Sequence, residues 1–252
     1  MTYVMSDIHG EYSLFLELLS KINFSDNDIL YICGDIIEKG PDSIRLAKYI
    51  FSRNNIKVIR GNHEEDFLKY FHSLMRDREG DFDEVLERLR EYIGGDDAHL
   101  LDWDVVDSIE KLPYYIETED FICVHAGVPL DENKNIPDLK TVPIEELVYN
   151  RTFKIPEVAP FDSRCVFYGH TSSMSVFGDA RIVEFHRGID PPKSIKDIIK
   201  VHLDTGVFTS GVLACFCVET CASEFVRKRK LLEANNKLPE SKHQNGEVNR
   251  NG

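Results

Sequence analysis

No run in the 252 residues approaches the roughly 20 apolar side chains that a membrane-crossing helix needs. The N-terminus, Met1 to Asp7, has no basic segment followed by an apolar stretch, so no export signal is expected and a cytoplasmic location is. The six cysteines include no Cys-x-x-Cys pair, which argues against a structural zinc or disulfide framework. Cys33, Cys123, Cys165, Cys215 and Cys217 lie instead in apolar, β-branched or aromatic runs, where a thiol packs as a small hydrophobe, and Cys221 has no evident role. Basic residues are also scarce: 30 Lys and Arg face 44 Asp and Glu, a formal charge of −14 that repels a nucleic-acid backbone. A small phosphorylated ligand remains compatible, because bound metal ions offset that charge locally. No internal repeat is present.

Short apolar runs that stop at polar clusters recur at Thr2–Met5, Ile29–Cys33, Lys57–Ile59, Phe121–Val124, Cys165–Tyr168, Val201–Leu203 and Val212–Val218, and read as buried strands. Helical periodicity at Glu11–Lys21, Asp42–Ser52 and Glu64–Met75 separates the early ones. This is the β-α-β alternation of an α/β fold with a largely parallel sheet, in which ligands sit beyond the carboxyl ends of the strands. Residues 80–112 differ in texture, with Val85, Leu86, Leu89, Tyr92 and Ile93 at helical spacing among charges. They are expected to form a helical insertion that either covers the core or walls the site. Asp190-Pro191-Pro192-Lys193 reads as a surface turn. One domain is expected over residues 1–226, with a polar, disordered tail over 227–252.

Metal-competent side chains follow five of these strands. Asp7 and His9 come after the first, Asp35 after the second, Asn62 after the third, and His125 and His170 after two later ones, each histidine flanked by small residues. Taken singly, an Asp-x-His is equally a turn beside a surface histidine, and an Asn before a helix equally an N-cap. Together the carboxylate, imidazole and amide donors suit divalent manganese, iron or zinc. Six ligands exceed what one open catalytic ion uses, so a pair of ions bridged by Asp35 is expected.

The segments Asp7-Ile8-His9, Gly34-Asp35-Ile36-Ile37-Glu38-Lys39-Gly40, Gly61-Asn62-His63-Glu64, His125-Ala126-Gly127 and Gly169-His170-Thr171, in this order, resemble the calcineurin-like metallophosphoesterase superfamily. Arg60 before the third segment, Tyr149-Asn150-Arg151, and Leu203-Asp204-Thr205-Gly206 followed by Gly211 are similar to PPP-type serine/threonine phosphatases of the short bacterial and phage kind. That resemblance implies two β-sheets packed face to face with helices outside. It implies one ion held by Asp7, His9 and Asp35, and a second by Asp35, Asn62, His125 and His170. It also implies phosphate binding by Arg60, Arg151, Lys39 and Asn62, and His63, oriented by Glu38, as proton donor.

The implied reaction is attack of a metal-bound hydroxide on a phosphomonoester, with a phosphoserine or phosphothreonine protein as first expectation. The alternative is a symmetrical diadenosine tetraphosphatase or related nucleotide pyrophosphohydrolase, because Gly40-Pro41-Asp42-Ser43 also occurs in that branch. A metal-bearing module without catalysis is the third reading, raised by Lys39 where relatives carry arginine.

Overall fold

The computed structural model describes residues 1–77, 81–188 and 190–228. Among these residues ten strands form two five-stranded sheets; two sheets were expected. In the first, β1 (Thr2–Met5), β2 (Ile29–Ile32) and β3 (Ile56–Val58) run parallel, and β9 (Val212–Cys217) and β10 (Ala222–Arg227) add antiparallel, in the order β10-β9-β1-β2-β3. The second has the order β4-β5-β6-β8-β7, from β4 (Tyr115–Glu117), β5 (Phe121–Val124), β6 (Cys165–Tyr168), β7 (Val183–His186) and β8 (Ile198–His202). Its β5, β6 and β8 are parallel.

The sheets meet through Val4, Cys33, Ile59 and Phe216 on one side and Phe121, Cys123, Phe167 and Val201 on the other, all buried. Burial on both faces explains why these strands read as continuous apolar runs rather than alternating ones. Helices α1 (Tyr12–Lys21), α2 (Ser43–Phe51) and α3 (Asn62–Asp77) cover the outer face of the first sheet. The insertion supplies α4 (Phe82–Ile93) and α5 (Trp103–Glu110), whose Val85, Leu89, Ile93, Val105, Val106 and Ile109 are buried in the same cluster. It is also fastened to the loop after β2 and to α2: Asp96 N–H donates to Pro41 O at 2.8 Å, and Asp97 accepts from Arg45 N–H at 2.6 Å. The segment thus covers the core, and it is tied to the loop that follows Asp35.

The outer face of the second sheet is covered by residues 128–153, including α6 (Ile144–Tyr149). Two short helices complete the order, α7 (Ser173–Phe177) and α8 (Val207–Ser210). The expected tail starts too early by sequence, since β10 runs to Arg227; from residue 229 on it lies outside the described residues. Among the described residues no helix is long and apolar enough to cross a membrane.

Candidate active site

The parallel strands of both sheets deliver side chains to one place. Asp7 follows β1, Asp35 follows β2, Asn62 opens α3 after β3, His125 follows β5 and His170 follows β6. The backbone turns sharply at these points: φ is 52° at Asp7, 49° at His9, 55° at Asp35 and 70° at His170, a region L-residues seldom occupy. Strain concentrated on the candidate ligands marks a site that the surrounding fold holds against local preference. Close approach needs glycine at two positions: a Cβ on Gly61 would collide with the Asp35 carboxylate, and one on Gly169 with that of Asp7.

Asp35 stands at the centre. Its Oδ2 lies 3.4 Å from His125 Nε2, 3.7 Å from His9 Nε2 and 3.9 Å from His63 Nε2, while its Oδ1 accepts from His63 N–H at 3.1 Å. Asp7 Oδ1 lies 3.9 Å from His9 Nε2, and its Oδ2 accepts from Ser6 Oγ and from His170 N–H. Asn62 Oδ1 is 3.0 Å from His125 Nε2 and 2.8 Å from His170 Nδ1. The second nitrogens set the tautomers: His125 Nδ1–H donates to Cys33 O at 2.8 Å and His9 Nδ1–H to Ile37 O at 3.3 Å, so both Nε2 lone pairs point inward.

The electrostatics fit divalent cations. Burial first, and then the Asp35 charge, push the Asp7 carboxyl up to about 6; burial first, and then Glu64, push Asp35 up to about 7. Burial holds His9 well below its ordinary range, and burial with neighbouring His125 lowers His170 to about 2. Buried carboxylates that resist ionising, beside neutral imidazoles with inward lone pairs, are a site whose missing charge a cation supplies. The buried His170 Nε2 has no partner among the described residues. Two candidate donor groups, His9-Asp35-His63 and Asp35-His125-His170, share Asp35.

His63 falls in one of these groups, yet its Nδ1 is 2.6 Å from Glu38 Oε2. Burial pulls this imidazole down, but the Glu38 hydrogen bond and the Asp35 charge outweigh it and leave the pKa raised. The Glu38 hydrogen bond holds Nδ1 and leaves Nε2 facing Asp35 at 3.9 Å. Lys39 Nζ lies 3.0 Å from His9 Nε2, so its ammonium reaches the cluster. Arg151 Nη1 donates to Thr171 Oγ1 at 3.3 Å, beside His170.

The Arg60 guanidinium is bound by Glu65 at 3.0 Å, the Tyr114 hydroxyl at 2.7 Å and Glu110 O at 2.6 Å, and it stacks on the Tyr114 ring. Glu65 lies in α3, Tyr114 just before β4 and Glu110 in α5, so three of its N–H bonds tie α5 to α3, while its Nε has no partner among the described residues.

Two buried acids that sequence reasoning left without a role belong to the site. Glu64 accepts from the backbone N–H of Asp35, Ile36, Ile37 and Gly61 at 2.9–3.2 Å, and so shapes the loop that presents Asp35. Asp204 follows β8 just as the ligands follow their strands. Burial and then the Asp7 charge raise its pKa well above the usual carboxylate range. Its place after an apolar run was the available signal. A cavity of about 250 Å³ opens beside Asp7, His9 and His170 and is lined also by Lys39, Asp204 and Phe208.

The fold and this donor set form a candidate metal centre at the ends of the parallel strands. The family model for calcineurin-like phosphoesterases matches residues 2–201, and the chain belongs to that family. It is 32% identical over 158 residues to the symmetrical bis(5'-nucleosyl)-tetraphosphatase of Buchnera aphidicola subsp. Acyrthosiphon pisum (strain 5A), covering 61% of this chain and 54% of the relative. The enzyme of the same name from Buchnera aphidicola subsp. Schizaphis graminum (strain Sg) is 36% identical over 129 residues, 50% of this chain and 44% of the relative. The chain thus spans about half the length of the curated relatives it matches. The metallophosphoesterase from Sphaerobacter thermophilus superposes with a TM-score of 0.54 at 16% identity over 90% of this chain and 88% of that one, a likeness of fold. A crystal structure carrying a provisional diadenosine tetraphosphatase name gives 0.64 at 18% identity over 91% and 94%.

Proposed function

We propose that this protein cleaves a phosphoanhydride bond of a dinucleoside polyphosphate, which reverses the first expectation of a protein phosphatase. The observation that carries the reading is the sequence similarity to relatives named symmetrical bis(5'-nucleosyl)-tetraphosphatases. The Gly40–Ser43 turn that suggested this branch lies beside the site. It is held by Asp42 N–H to Gly10 O at 3.1 Å and keeps Glu38 and Lys39 at φ of 64° and 66°, facing the cluster.

In this reading Asp7, His9 and Asp35 hold one divalent cation, and Asp35, Asn62, His125 and His170 a second, with manganese the first candidate. Bound there, the cations supply an acidified water and neutralise charge on the phosphate chain. Lys39, Arg151 and the Asn62 amide orient the phosphate oxygens. As the water oxygen bonds to phosphorus, the bridging P–O bond breaks and its electron pair leaves on the departing phosphate, which His63 protonates from Nε2 while Glu38 holds Nδ1. Symmetrical cleavage of a tetraphosphate yields two nucleoside diphosphates. The test is a side-by-side assay of diadenosine tetraphosphate and a phosphoserine peptide with added manganese. Adenosine diphosphate as sole nucleotide product, at rates well above peptide dephosphorylation, is expected. The reverse ranking would restore the protein-phosphatase reading, which the Tyr149-Asn150-Arg151 segment favours.

A further inference from the structure

Lys200 lies in the middle strand of three, in β8, with neighbours Val166 on β6 and Phe185 on β7, and it is fully buried; burial lowers its pKa to about 7, while the carbonyl acceptors around Nζ favour the protonated form. Its ammonium has three N–H groups, and three backbone carbonyls take them: Phe153 O at 2.7 Å, Ile155 O at 2.8 Å, and Val158 O. The aromatic rings of Phe153 and Phe185 flank Nζ at 4.5 and 4.9 Å from their centroids. All three acceptors belong to the irregular segment that begins directly after Arg151. Two turns, Ile155 N–H to Thr152 O and Val158 N–H to Ile155 O, bring those carbonyls round to one point.

The segment is anchored on its other side as well. Asn150 Oδ1 accepts from Thr152 N–H at 2.7 Å and Phe153 N–H at 3.3 Å. The Phe153 side chain is fully buried, sits where a Cβ on Gly127 would be, and packs edge-on against Tyr168 at 4.9 Å. Gly127 stands two residues after His125 and Tyr168 two before His170. Arg151, itself exposed, therefore leaves a short chain segment whose following residues are fastened to both histidine-bearing strands and, through one ammonium, to the next strand of the sheet.

We propose that Lys200 is a positioning residue for the phosphate-binding arginine: by gathering three carbonyls of residues 153–158 on its ammonium, it sets where Arg151 stands relative to His125 and His170. A salt bridge would draw the segment toward one atom, whereas three carbonyls on one tetrahedral donor fix its path in three directions. The inference rests on Arg151 as a phosphate-binding residue and extends that reading to a side chain that touches no substrate.

The test uses the manganese-loaded full chain and a simple aryl phosphate. Lys200→Met is expected to keep its metal and to raise KM about tenfold with kcat changed less than about threefold, since misplacing a binding group by an ångström or so has effects of this order or larger. In an Arg151→Ala background the same substitution is expected to add nothing, because the two act as one unit. Amide hydrogen exchange over residues 152–158 should rise in Lys200→Met. Lys200→Gln, which keeps two donors, serves if Lys200→Met is not recovered folded, with the same pattern in milder form. An unchanged KM in folded Lys200 variants, or a loss that multiplies with that of Arg151→Ala, would overturn the inference. Arg151→Ala at wild-type KM would also overturn it by removing its premise. The exchange measurement would separate that case, still showing residues 152–158 released.

Discussion

Replacing Glu64 by Gln tests how the Asp35 loop is built. The Glu64 side chain is completely buried, and its two oxygens accept four backbone N–H groups: Oε2 takes Asp35 and Gly61, Oε1 takes Ile36 and Ile37. Glutamine is nearly isosteric but offers one oxygen and one NH2. Two N–H donors then face another donor in a buried site, at roughly 1–3 kcal/mol each, and the other two bonds lose their charge assistance, which about halves them. Against this, removing the Glu64 charge relieves a cause of the raised Asp35 pKa. A net loss of about 3–5 kcal/mol remains, close to what truncating buried polar networks costs elsewhere. In a chain of this length that lowers Tm by roughly 6–20 °C. The assay is urea and thermal unfolding of wild type and Glu64→Gln in chelator, so that metal binding does not mask the difference, followed by elemental analysis after manganese is restored. The variant should be less stable and hold less metal. Stability within about 1 kcal/mol of wild type would show that the four N–H groups find other partners, and would refute the reasoning.

Asp35→Asn should lose more metal than Asn62→Ala, because Asp35 is common to both donor groups, and elemental analysis showing the reverse would move the bridge elsewhere. His202, lowered to about 4 chiefly by burial, is neutral when folded and binds Thr171 O at 2.6 Å. Stability from it is full above the unfolded pKa near 6.5 and is lost as pH falls toward 4, by roughly 1 kcal/mol per pH unit. Urea unfolding of His202→Gln, which keeps a donor for Thr171 O, should show a correspondingly flatter pH dependence; identical slopes would remove His202 from the balance. Lys39→Arg should tighten substrate binding by about 1 kcal/mol, since a planar fork replaces a point charge. Unchanged kinetic constants would place Lys39 outside the phosphate's reach.

Much of this architecture is local and therefore legible in the chain. Strands buried on both faces must be apolar throughout, so β1, β2, β5, β6 and β9 announce themselves, and the candidate ligands stand within a few residues of strand ends. The strands that escaped notice, β4, β7 and β10, are all sheet edges. An edge strand has one hydrogen-bonded neighbour and one face or side in solvent; β10 is exposed except at Val226, and β7 is half-buried along its length, so neither needs an apolar run.

The candidate site divides the same way. Asp7, His9, Asp35, Asn62, His125 and His170 could be named as candidate ligands because each pairs a strand with a metal-competent side chain at once, and that pairing is short-range. The partners of Arg60 were not legible although it sits in a recognisable segment: the direction of a long side chain depends on Glu65, Tyr114 and Glu110, the latter two some 50 residues away in sequence. Glu64, Asp204 and Lys200 likewise gain meaning only from groups far along the chain. The sequence by itself determined which strands exist and which donors end them, since both follow from local pattern. Tertiary structure alone decided which charged groups face the site and which hold its frame, because a buried charge must take whatever partners the fold brings within a few ångströms.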